Sequence, residues 1–331
     1  MSFPMTENQT LWADAISGLA QRHWTTDHRE RSWASDPAAE DELARALVDA
    51  GVMGLSSSSE HGGLDQTLHD LTSTYERAGY HALPVWMTRH LIACEFLQQM
   101  PDYAAKAASG ELLVGLSLND QHVEHPDRID ALVHLRPNRA ELLLGCQFED
   151  IESVDKGRPL GALIDAQQRV EIAHASPQQL FNRAYNAACL TDALQLIGLS
   201  QAALDMSVEY ASNRHQFGKP IGVQQAVKHQ LANAMIALEF ARPMVQRAGD
   251  AQTQRDAECD GRVSGSWLLA TEAARQVERT ALQVHGAMGY SFEYPLHHFL
   301  KRSWALRYAQ SPASDHTERV RTWLMEDENN D

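Results

Sequence analysis

The sequence predicts a mainly α-helical protein that carries one small β-domain. Apolar residues recur at three- and four-residue spacing in long stretches at both ends of the chain, which is the period of an amphipathic helix. Between these stretches, short apolar runs alternate with turn-forming residues, which is typical of strands. A chain of 331 residues is long enough for about two domains with a sizeable core.

Residues 1–110 are predicted to form an N-terminal helical domain. Helical periodicity extends over four segments, 12–22, 41–50, 68–78 and 83–97. The last segment is apolar almost throughout, so we expect a largely buried helix in which Pro84 is tolerated only near the start.

Residues 111–177 are predicted to form a reduced β-domain. Proline, asparagine and glycine separate its short apolar runs, which cover 112–118, 130–135, 141–145 and 160–165. Runs of this length with turn signals between them predict strands of a small sheet.

Residues 178–325 are predicted to form a C-terminal helical bundle, and residues 326–331 an acidic tail. The first long helix is expected to bury a face made of Leu190, Leu194, Ile197, Leu204 and Val208. A second helix is expected to bury a face from Val227 to Val245. A third is expected to bury a face from Trp267 to Val284, whose small residues allow close helix packing.

Charge and cysteine content exclude several classes of protein. With 28 Lys+Arg against 44 Asp+Glu, the net charge of −16 disfavours binding to nucleic acid. Cys94, Cys146, Cys189 and Cys259 are scattered, so we expect reduced thiols rather than disulfides or a metal site. No run approaches the ~20 apolar residues of a membrane span, and residues 1–8 have no signal-peptide pattern. A cytoplasmic protein without a membrane partner is therefore expected.

A short basic turn between two predicted helices is the most informative part of the sequence. Arg214, His215 and Lys219 lie close together in an otherwise acidic chain, and Phe217 accompanies them. Such a turn suits an anionic, partly aromatic ligand such as a dinucleotide. A solvated loop without a ligand is the other interpretation of the same residues.

Two blocks of sequence resemble signatures of the acyl-CoA dehydrogenase family of flavoproteins. The first reads Arg-His-Gln-Phe-Gly-Lys-Pro-Ile from Arg214, followed by Gln-Ala-Val-Lys-His-Gln-Leu-Ala from Gln225. The second runs from Ala281 to Arg302 and includes Gln-Val-His-Gly-Ala-Met-Gly-Tyr. The resemblance implies the acyl-CoA dehydrogenase fold, with an N-terminal helical domain, a reduced β-domain and a C-terminal four-helix bundle.

The same resemblance implies FAD as the cofactor, bound across a subunit interface. Arg214 would bind the pyrophosphate, and Gln216 and Phe217 would meet the adenine end. Gln225 would support the loop. The remaining cofactor-binding candidates come from the second block, where glycines allow a close approach of the backbone; they are Gln283, His285, Gly286 and Gly289.

The family's usual catalytic base is absent from its expected place. A carboxylate removes the α-proton of the acyl-CoA in this family, but the equivalent position after Arg302 is Ser311, whose hydroxyl is far too weak a base. Asp315 lies beyond that turn. Glu209 is the remaining catalytic candidate, although it lies one residue, or about 100° of helix rotation, from the position used by some family members. A solvent-facing glutamate is the alternative interpretation.

The middle of the chain departs from the family as well. Residues 115–180 lack the Thr-Glu-x-x-x-Gly-Ser-Asp-like segment that cradles the flavin ring in other members. The chain resembles the shorter β-type subunit of heteromeric α2β2 acyl-CoA dehydrogenases, including those of steroid catabolism. This implies a longer dehydrogenase subunit as partner, FAD shared with it, an acyl-CoA substrate and an electron-transfer flavoprotein as acceptor. Two alternatives remain, a homomeric enzyme with Glu209 as base and a flavin-free helical scaffold.

Overall fold

A computed structural model describes residues 5–256 and 258–327 of the chain. The helices of this part are α1 (Glu7–His23), α2 (Thr26–Trp33), α3 (Ala38–Asp49), α4 (Thr72–Tyr80), α5 (Val85–Cys94), α6 (Pro101–Ala108), α7 (Pro177–Asn213), α8 (Gln225–Gln254), α9 (Cys259–His285), α10 (Leu296–Leu306) and α11 (Ala313–Asp327). The strands are β1 (Val114–Leu118), β2 (Val123–Glu124), β3 (Ala131–Arg136), β4 (Arg139–Ile151), β5 (Leu160–Glu171), β6 (His215–Gln216) and β7 (Lys219–Pro220).

These elements confirm the predicted mainly α fold with a small β region, but several bounds differ. Helix α4 begins at Thr72, later than predicted. Strands β4 and β5 extend to Ile151 and Glu171, farther than their apolar runs, because they pair with each other along most of their length. Of the predicted acidic tail, residues 328–331 lie outside the described residues, as do residues 1–4 of the predicted signal-free N-terminus.

The described chain divides into two compact units, and each consists of segments that are distant in sequence. The first unit takes its described residues from Met1–Ile16, Thr72–Ala82 and Cys189–Asp331. The second takes them from Ser17–Leu71 and Leu83–Ala188. The division into an N-terminal domain, a β-domain and a C-terminal bundle stays a prediction.

The core of the first unit lies where α7, α8, α9 and α10 meet. Its buried cluster comprises Ala203, Leu204, Ala234, Val277, Ala281, Leu296 and Leu300. The predicted inner faces of α8 and α9 are largely confirmed, since α8 buries its residues from Ala234 to Val245 at helical spacing. The prediction for Val208 is wrong, because its side chain is 48% exposed on the outward side of the last turns of α7.

Glycines allow α4 and α7 to pack backbone to backbone within the first unit. A Cβ atom at Gly79 would lie 2.2 Å from the carbonyl oxygen of Gln195, and one at Gly198 would lie 1.9 Å from that of Glu76. Arg242 of α8 pairs with the Glu76 carboxylate at 2.5 Å. This small-residue contact fixes the position of α7, which leads into the basic turn.

Helix α7 is long and apolar enough to cross a membrane by length and composition alone. However, 94% of its most apolar window is buried inside the protein. That burial is typical of the core helix of a soluble fold.

The second unit contains a five-stranded sheet in the order β1-β3-β4-β5-β2. Strand β1 pairs with β3 in parallel, and the other pairs are antiparallel. Val123, Leu132 and Leu143 form a buried apolar cluster on this sheet. Predicted helix α5 lies in the same unit, and all ten of its residues are buried as expected.

A buried ion cluster lies beside this sheet. Glu124 of β2 pairs with Arg89 of α5 and with Arg158, each at 2.9 Å, and all three side chains are at most 5% exposed. Burial alone would raise the pKa of Glu124, but the two guanidinium groups outweigh it and hold the pKa well below its usual range. The cluster therefore stays ionised and ties α5 to β2 and to the loop before β5.

Candidate functional site

The basic turn folds as a β-hairpin at the end of α7. Strands β6 and β7 pair antiparallel, and Phe217 and Gly218 connect them. Both connecting residues have positive φ, 52° and 79°, as a tight type I′ hairpin turn requires. This backbone is unusual for phenylalanine, and it leaves the Phe217 side chain 95% exposed.

The hairpin is anchored on the last turn of α7. The Arg214 amide donates a hydrogen bond to the Tyr210 carbonyl at 2.8 Å, and the Ile221 amide donates to the Arg214 carbonyl at 2.8 Å. Gly222 packs against the same turn, since a Cβ there would lie 3.0 Å from the Ala211 carbonyl oxygen. The backbone of Arg214 is thus fixed while its side chain is exposed to solvent.

In the described part of the chain, the cations of the hairpin and of the first turn of α8 are not paired with carboxylates. Within residues 5–256 and 258–327, Arg214, Lys219 and Lys228 form no ion pair, although other arginines of the chain are paired. His215 and His229 are exposed beside them. The chain as a whole has a net charge of −16. At this surface, however, an anionic ligand can bind the cations without first displacing a carboxylate of the protein.

The other predicted side-chain contacts of this region are also on the surface. Gln216 is exposed, and its side-chain amide donates to the His215 carbonyl at 2.9 Å. Gln225 is exposed at the first residue of α8, and Gln283 is exposed in the last turn of α9. All three are accessible to a ligand or a neighbouring subunit.

Helix α9 ends in a 3-10 turn that spans Gly286–Tyr290. Gly286 has φ 56° and ψ −132°, a conformation that glycine adopts readily, and no atom lies within 4 Å of a Cβ placed there. Gly289 is buried under the turn, where a Cβ would lie 3.2 Å from that of His285. The backbone at Gly286 is therefore open to a ligand, and Gly289 permits the tight turn.

His285 lies behind the turn and is only 3% exposed. Its Nδ1 lies 2.8 Å from the Ala281 carbonyl oxygen, which can only accept, so Nδ1 carries the proton. Tyr210 and Tyr294 stack beside the imidazole, with ring centroids at 4.5 Å and 4.9 Å. Burial lowers the pKa of His285, so the ring is neutral. The sequence assigned no role to the two tyrosines, although Tyr210 lies four residues before the first block and Tyr294 lies within the second.

None of the three polar residues considered for the base lies in a built acid–base site. Glu209 is exposed, and its charge adds to burial in raising the pKa of Tyr294. Asp315 is exposed at the start of α11. Ser311 is half-buried, and its hydroxyl lies 3.3 Å from Nε2 of His316. His316 is fully buried and also contacts the Ser264 hydroxyl through Nδ1 at 3.3 Å.

The first unit also holds a buried carboxylate that sequence reasoning missed. Glu278 of α9 accepts hydrogen bonds from the Ser303 hydroxyl at 2.6 Å and the Trp304 indole at 3.0 Å, and it pairs with Arg307 at 3.2 Å. Burial raises the pKa of this carboxyl despite these partners. Its oxygens are engaged by α10 and its C-terminal flank, which gives Glu278 a structural role. Its partners lie about 25 residues away, too far for a local signal.

A cavity of about 650 Å³ in the second unit is lined by residues that include Trp33, Arg128 and Lys156, and by none of the predicted site residues. Over the described ranges, no three His, Cys, Asp or Glu side chains are grouped as a metal site needs.

Comparison with known proteins bears on this geometry. Residues 180–310 match the family described as acyl-CoA dehydrogenase, C-terminal domain, so the match covers the hairpin and the turn after α9. The chain is 28% identical over 305 residues to acyl-CoA dehydrogenase IpdE2 of Mycobacterium tuberculosis, covering 91% of this chain and 92% of that protein. Residues 180–310 therefore match the acyl-CoA dehydrogenase C-terminal domain, and the chain as a whole is similar to an acyl-CoA dehydrogenase.

Solved structures of acyl-CoA dehydrogenases share the fold over almost the whole chain. The ChsE4-ChsE5 complex from Mycobacterium tuberculosis superimposes with a TM-score of 0.84 at 20% identity, covering 98% of this chain and 99% of that chain. The Tcur3481-Tcur3483 steroid acyl-CoA dehydrogenase, a G363A variant, gives a TM-score of 0.85 at 20% identity and the same coverage. The predicted acyl-CoA dehydrogenase fold is therefore confirmed.

FAD is the cofactor of the acyl-CoA dehydrogenase family, and the exposed residues fit its nucleotide end. Unpaired Arg214 and Lys219 suit the pyrophosphate, and Phe217 suits the adenine ring. The open backbone at Gly286 leaves space for a ligand where a side chain would stand. The roles of the predicted cofactor residues stay predictions, and the side chain of His285 is buried.

Proposed function

We propose that this chain is the subunit of a heteromeric FAD-dependent acyl-CoA dehydrogenase that lacks the base and supplies half of the FAD interface. The observation that carries the proposal is the anchored hairpin, which presents free cations and an exposed phenyl ring on the surface. A surface of this kind suits an anionic ligand that is also held from the other side, because the hairpin itself encloses nothing.

The state of Ser311 supports a division of labour between subunits. At the position where the family carries its carboxylate, this chain has a hydroxyl that contacts buried, neutral His316. Burial lowers the pKa of His316 to about 4, so this pair does not accept a proton near neutral pH as a catalytic base must. The partner subunit therefore carries the base in our proposal.

An exposed apolar stripe on α8 supports the presence of a partner. Ile236, Phe240 and Met244 lie four residues apart on the outer face and are 53%, 74% and 49% exposed. An exposed row of large apolar side chains at helical spacing marks an interaction surface. Helix α8 begins at Gln225, a few residues after the hairpin, so a partner packed on this stripe contacts the helix that follows the hairpin.

The residues of this chain would then act on the nucleotide. The Arg214 guanidinium donates charge-assisted hydrogen bonds to the pyrophosphate, and Lys219 adds positive charge. Phe217 stacks on adenine, and the Gly286 backbone approaches the nucleotide without a side chain in between. When bound, FAD accepts the hydride that leaves the β-carbon of the acyl thioester.

The substrate, acceptor and location follow from the same assignment. The substrate is an acyl-CoA thioester, and a bulky steroid-derived acyl group is the class we propose, in line with the steroid acyl-CoA dehydrogenase that shares the fold. The electron acceptor is an electron-transfer flavoprotein. We further propose a cytoplasmic α2β2 assembly with a longer dehydrogenase subunit.

The experiment is co-expression of this chain with a longer acyl-CoA dehydrogenase subunit from the same organism. We expect a complex with flavin absorbance and acyl-CoA dehydrogenase activity, and a colourless, inactive chain when it is purified alone. Arg214→Ala should lower the affinity of the complex for FAD by about 10- to 100-fold, as loss of a charge-assisted hydrogen bond predicts.

A matched control separates this effect from general loss of charge. Arg255→Asn removes an exposed arginine at the far end of α8, about 45 Å along the helix, and asparagine tolerates its positive φ. This variant should bind FAD normally. A yellow, active chain without a partner would favour the homomeric alternative, in which Glu209→Gln abolishes turnover. Absence of flavin in the co-purified complex would favour the scaffold alternative.

A further inference from the structure

The two segments of the proposed FAD site meet through a stack of aromatic rings. Tyr210 lies in the last turns of α7, before the hairpin, and His285 is the last residue of α9, before the Gly286 turn. Their ring centroids are 4.5 Å apart with 31° between the planes. Tyr294 closes the stack, at 4.9 Å from His285 and 6.0 Å from Tyr210.

Two of these three residues, Tyr210 and His285, are tied to backbone that belongs to the site. The carbonyl of Tyr210 accepts the Arg214 amide hydrogen bond, so a shift of Tyr210 moves the root of the hairpin. The Cβ atom of His285 lies under Gly289, so a shift of His285 moves the turn that contains Gly286. Tyr294 in turn packs against the buried cluster of the first unit.

The imidazole of His285 is suited to holding the hairpin and the Gly286 turn at a fixed distance, and not to contacting the cofactor. It is 3% exposed, and its proton is used in the bond to the Ala281 carbonyl. Nε2 has no hydrogen-bond partner in the described part of the chain. His285 therefore interacts with its surroundings through the shape of its ring and through one hydrogen bond.

We propose that His285 is a positioning residue: through its stack with Tyr210 it sets the distance between the Arg214 hairpin and the Gly286 turn, and so pre-organises the nucleotide half of the FAD site. This inference rests on the proposed function for its consequence in FAD binding. The coupling between the hairpin and the Gly286 turn is a property of the free chain.

The test compares variants that keep or remove the ring. His285→Ala removes the stack, and His285→Phe keeps a ring while losing only the bond to Ala281. In the full-length chain without FAD, we expect His285→Ala to speed hydrogen exchange of the Arg214 and Ile221 amides by about fivefold to tenfold, the factor for loss of one buried aromatic pair. His285→Phe should restore most of the protection.

A double-mutant cycle identifies the partner ring. Tyr210→Leu should speed the same amides, and Tyr210→Leu combined with His285→Ala should add little beyond either single change. If His285→Ala does not fold, Tyr210→Leu together with His285→Phe still tests the coupling. Unchanged exchange at Arg214 and Ile221 in folded variants would overturn the inference, as would effects that simply add.

Binding to the co-expressed complex tests the consequence. FAD affinity should fall in His285→Ala by about fivefold to tenfold and recover in His285→Phe. Failure of the proposed function has a different signature, because then Arg214→Ala leaves FAD binding unchanged whatever the exchange data give. Loss of FAD binding in His285→Phe equal to that in His285→Ala would overturn the role of the ring.

Discussion

The imidazole of His316 lies flat on the indole of Trp267, with ring centroids 4.0 Å apart and 17° between the planes. His316 is fully buried, and its two nitrogens contact the hydroxyls of Ser311 and Ser264 at 3.3 Å. Since a hydroxyl can donate or accept, the neutral ring satisfies both contacts, whereas a protonated ring would be a buried cation between two neutral partners.

We expect His316 to make stability depend on pH. Burial lowers its pKa from 6.5 to about 4, so between these values the unfolded chain binds a proton that the folded chain does not. The free energy of unfolding should therefore be constant above pH ~6.5 and fall below it, by about 1.4 kcal/mol per pH unit for this group. His90, whose pKa is also lowered to about 4 by burial, should act in the same direction.

Urea unfolding at a series of pH values measures this dependence. His316→Phe keeps the stack on Trp267 and should flatten the slope between pH 4.5 and 6 by about 1.4 kcal/mol per unit. His229→Gln, at an exposed position of α8, should leave the slope unchanged. An equal slope in His316→Phe and the parent chain would contradict the buried neutral ring.

Gly198→Ala should destabilise the first unit. The added methyl group would overlap the Glu76 carbonyl oxygen, which is backbone and cannot rotate away, so α4 and α7 must separate. Overpacking of this kind costs about 1–3 kcal/mol or more. Gly265→Ala is the matched control on α9, because its nearest neighbour is Val320 at 3.8 Å, an ordinary contact. The control should raise helix stability by about 0.5–1 kcal/mol. In thermal unfolding, the two variants should therefore shift the midpoint temperature in opposite directions.

Glu278→Gln should destabilise the packing of α10 on α9. The Ser303 hydroxyl can rotate to accept a hydrogen bond from the new amide nitrogen, so the loss is the negative charge that faces Trp304 and Arg307, at a cost of about 1–2 kcal/mol. Glu272→Gln on the same helix breaks an exposed pair with Arg275 and should change stability by less than ~0.5 kcal/mol. Chemical denaturation compares the two. Equally small losses of stability in the two variants would mean that the buried contacts of Glu278 contribute nothing to stability.

Arg158→Met should destabilise the second unit strongly and independently of salt. It leaves the buried Glu124 carboxylate with one guanidinium fewer, and breaking such a pair costs about 3–5 kcal/mol. The loss should be similar in low and high salt, since buried pairs are poorly screened. Arg45→Met, at an exposed position of α3, is the control and should be close to neutral. The free energy of unfolding of both variants, measured at two ionic strengths, tests this prediction.

Sequence reasoning succeeded where a signal is local or periodic. The inner face of α9 from Trp267 to Val284 repeats at helical spacing, and its members are buried as predicted. The residues of the hairpin and the Gly286 turn lie in contiguous blocks, so their resemblance to a family was readable without a structure. Both kinds of signal depend only on neighbours along the chain.

The remainder depends on contacts between distant residues. Arg89 and Glu124 are 35 residues apart, and β2 is only two residues long, so neither the ion cluster nor the strand leaves a pattern. Val208 fits a four-residue step from Leu204, but the buried face continues through Ser207 and Ala211 instead, so periodicity alone misplaced it by one residue. The burial of His285 behind its turn depends on the rings of Tyr210 and Tyr294, and the sequence does not show that these rings meet.

The outer face of α8 has a consequence for how much of this polypeptide a cell can tolerate. Ile236, Phe240 and Met244 stay in contact with water until another surface covers them. Copies of this chain that have no partner are therefore prone to aggregate. Matched synthesis of the two proposed subunits would keep the number of such copies small, and a smaller share of this chain should be soluble when it is overproduced alone than when it is made with its partner.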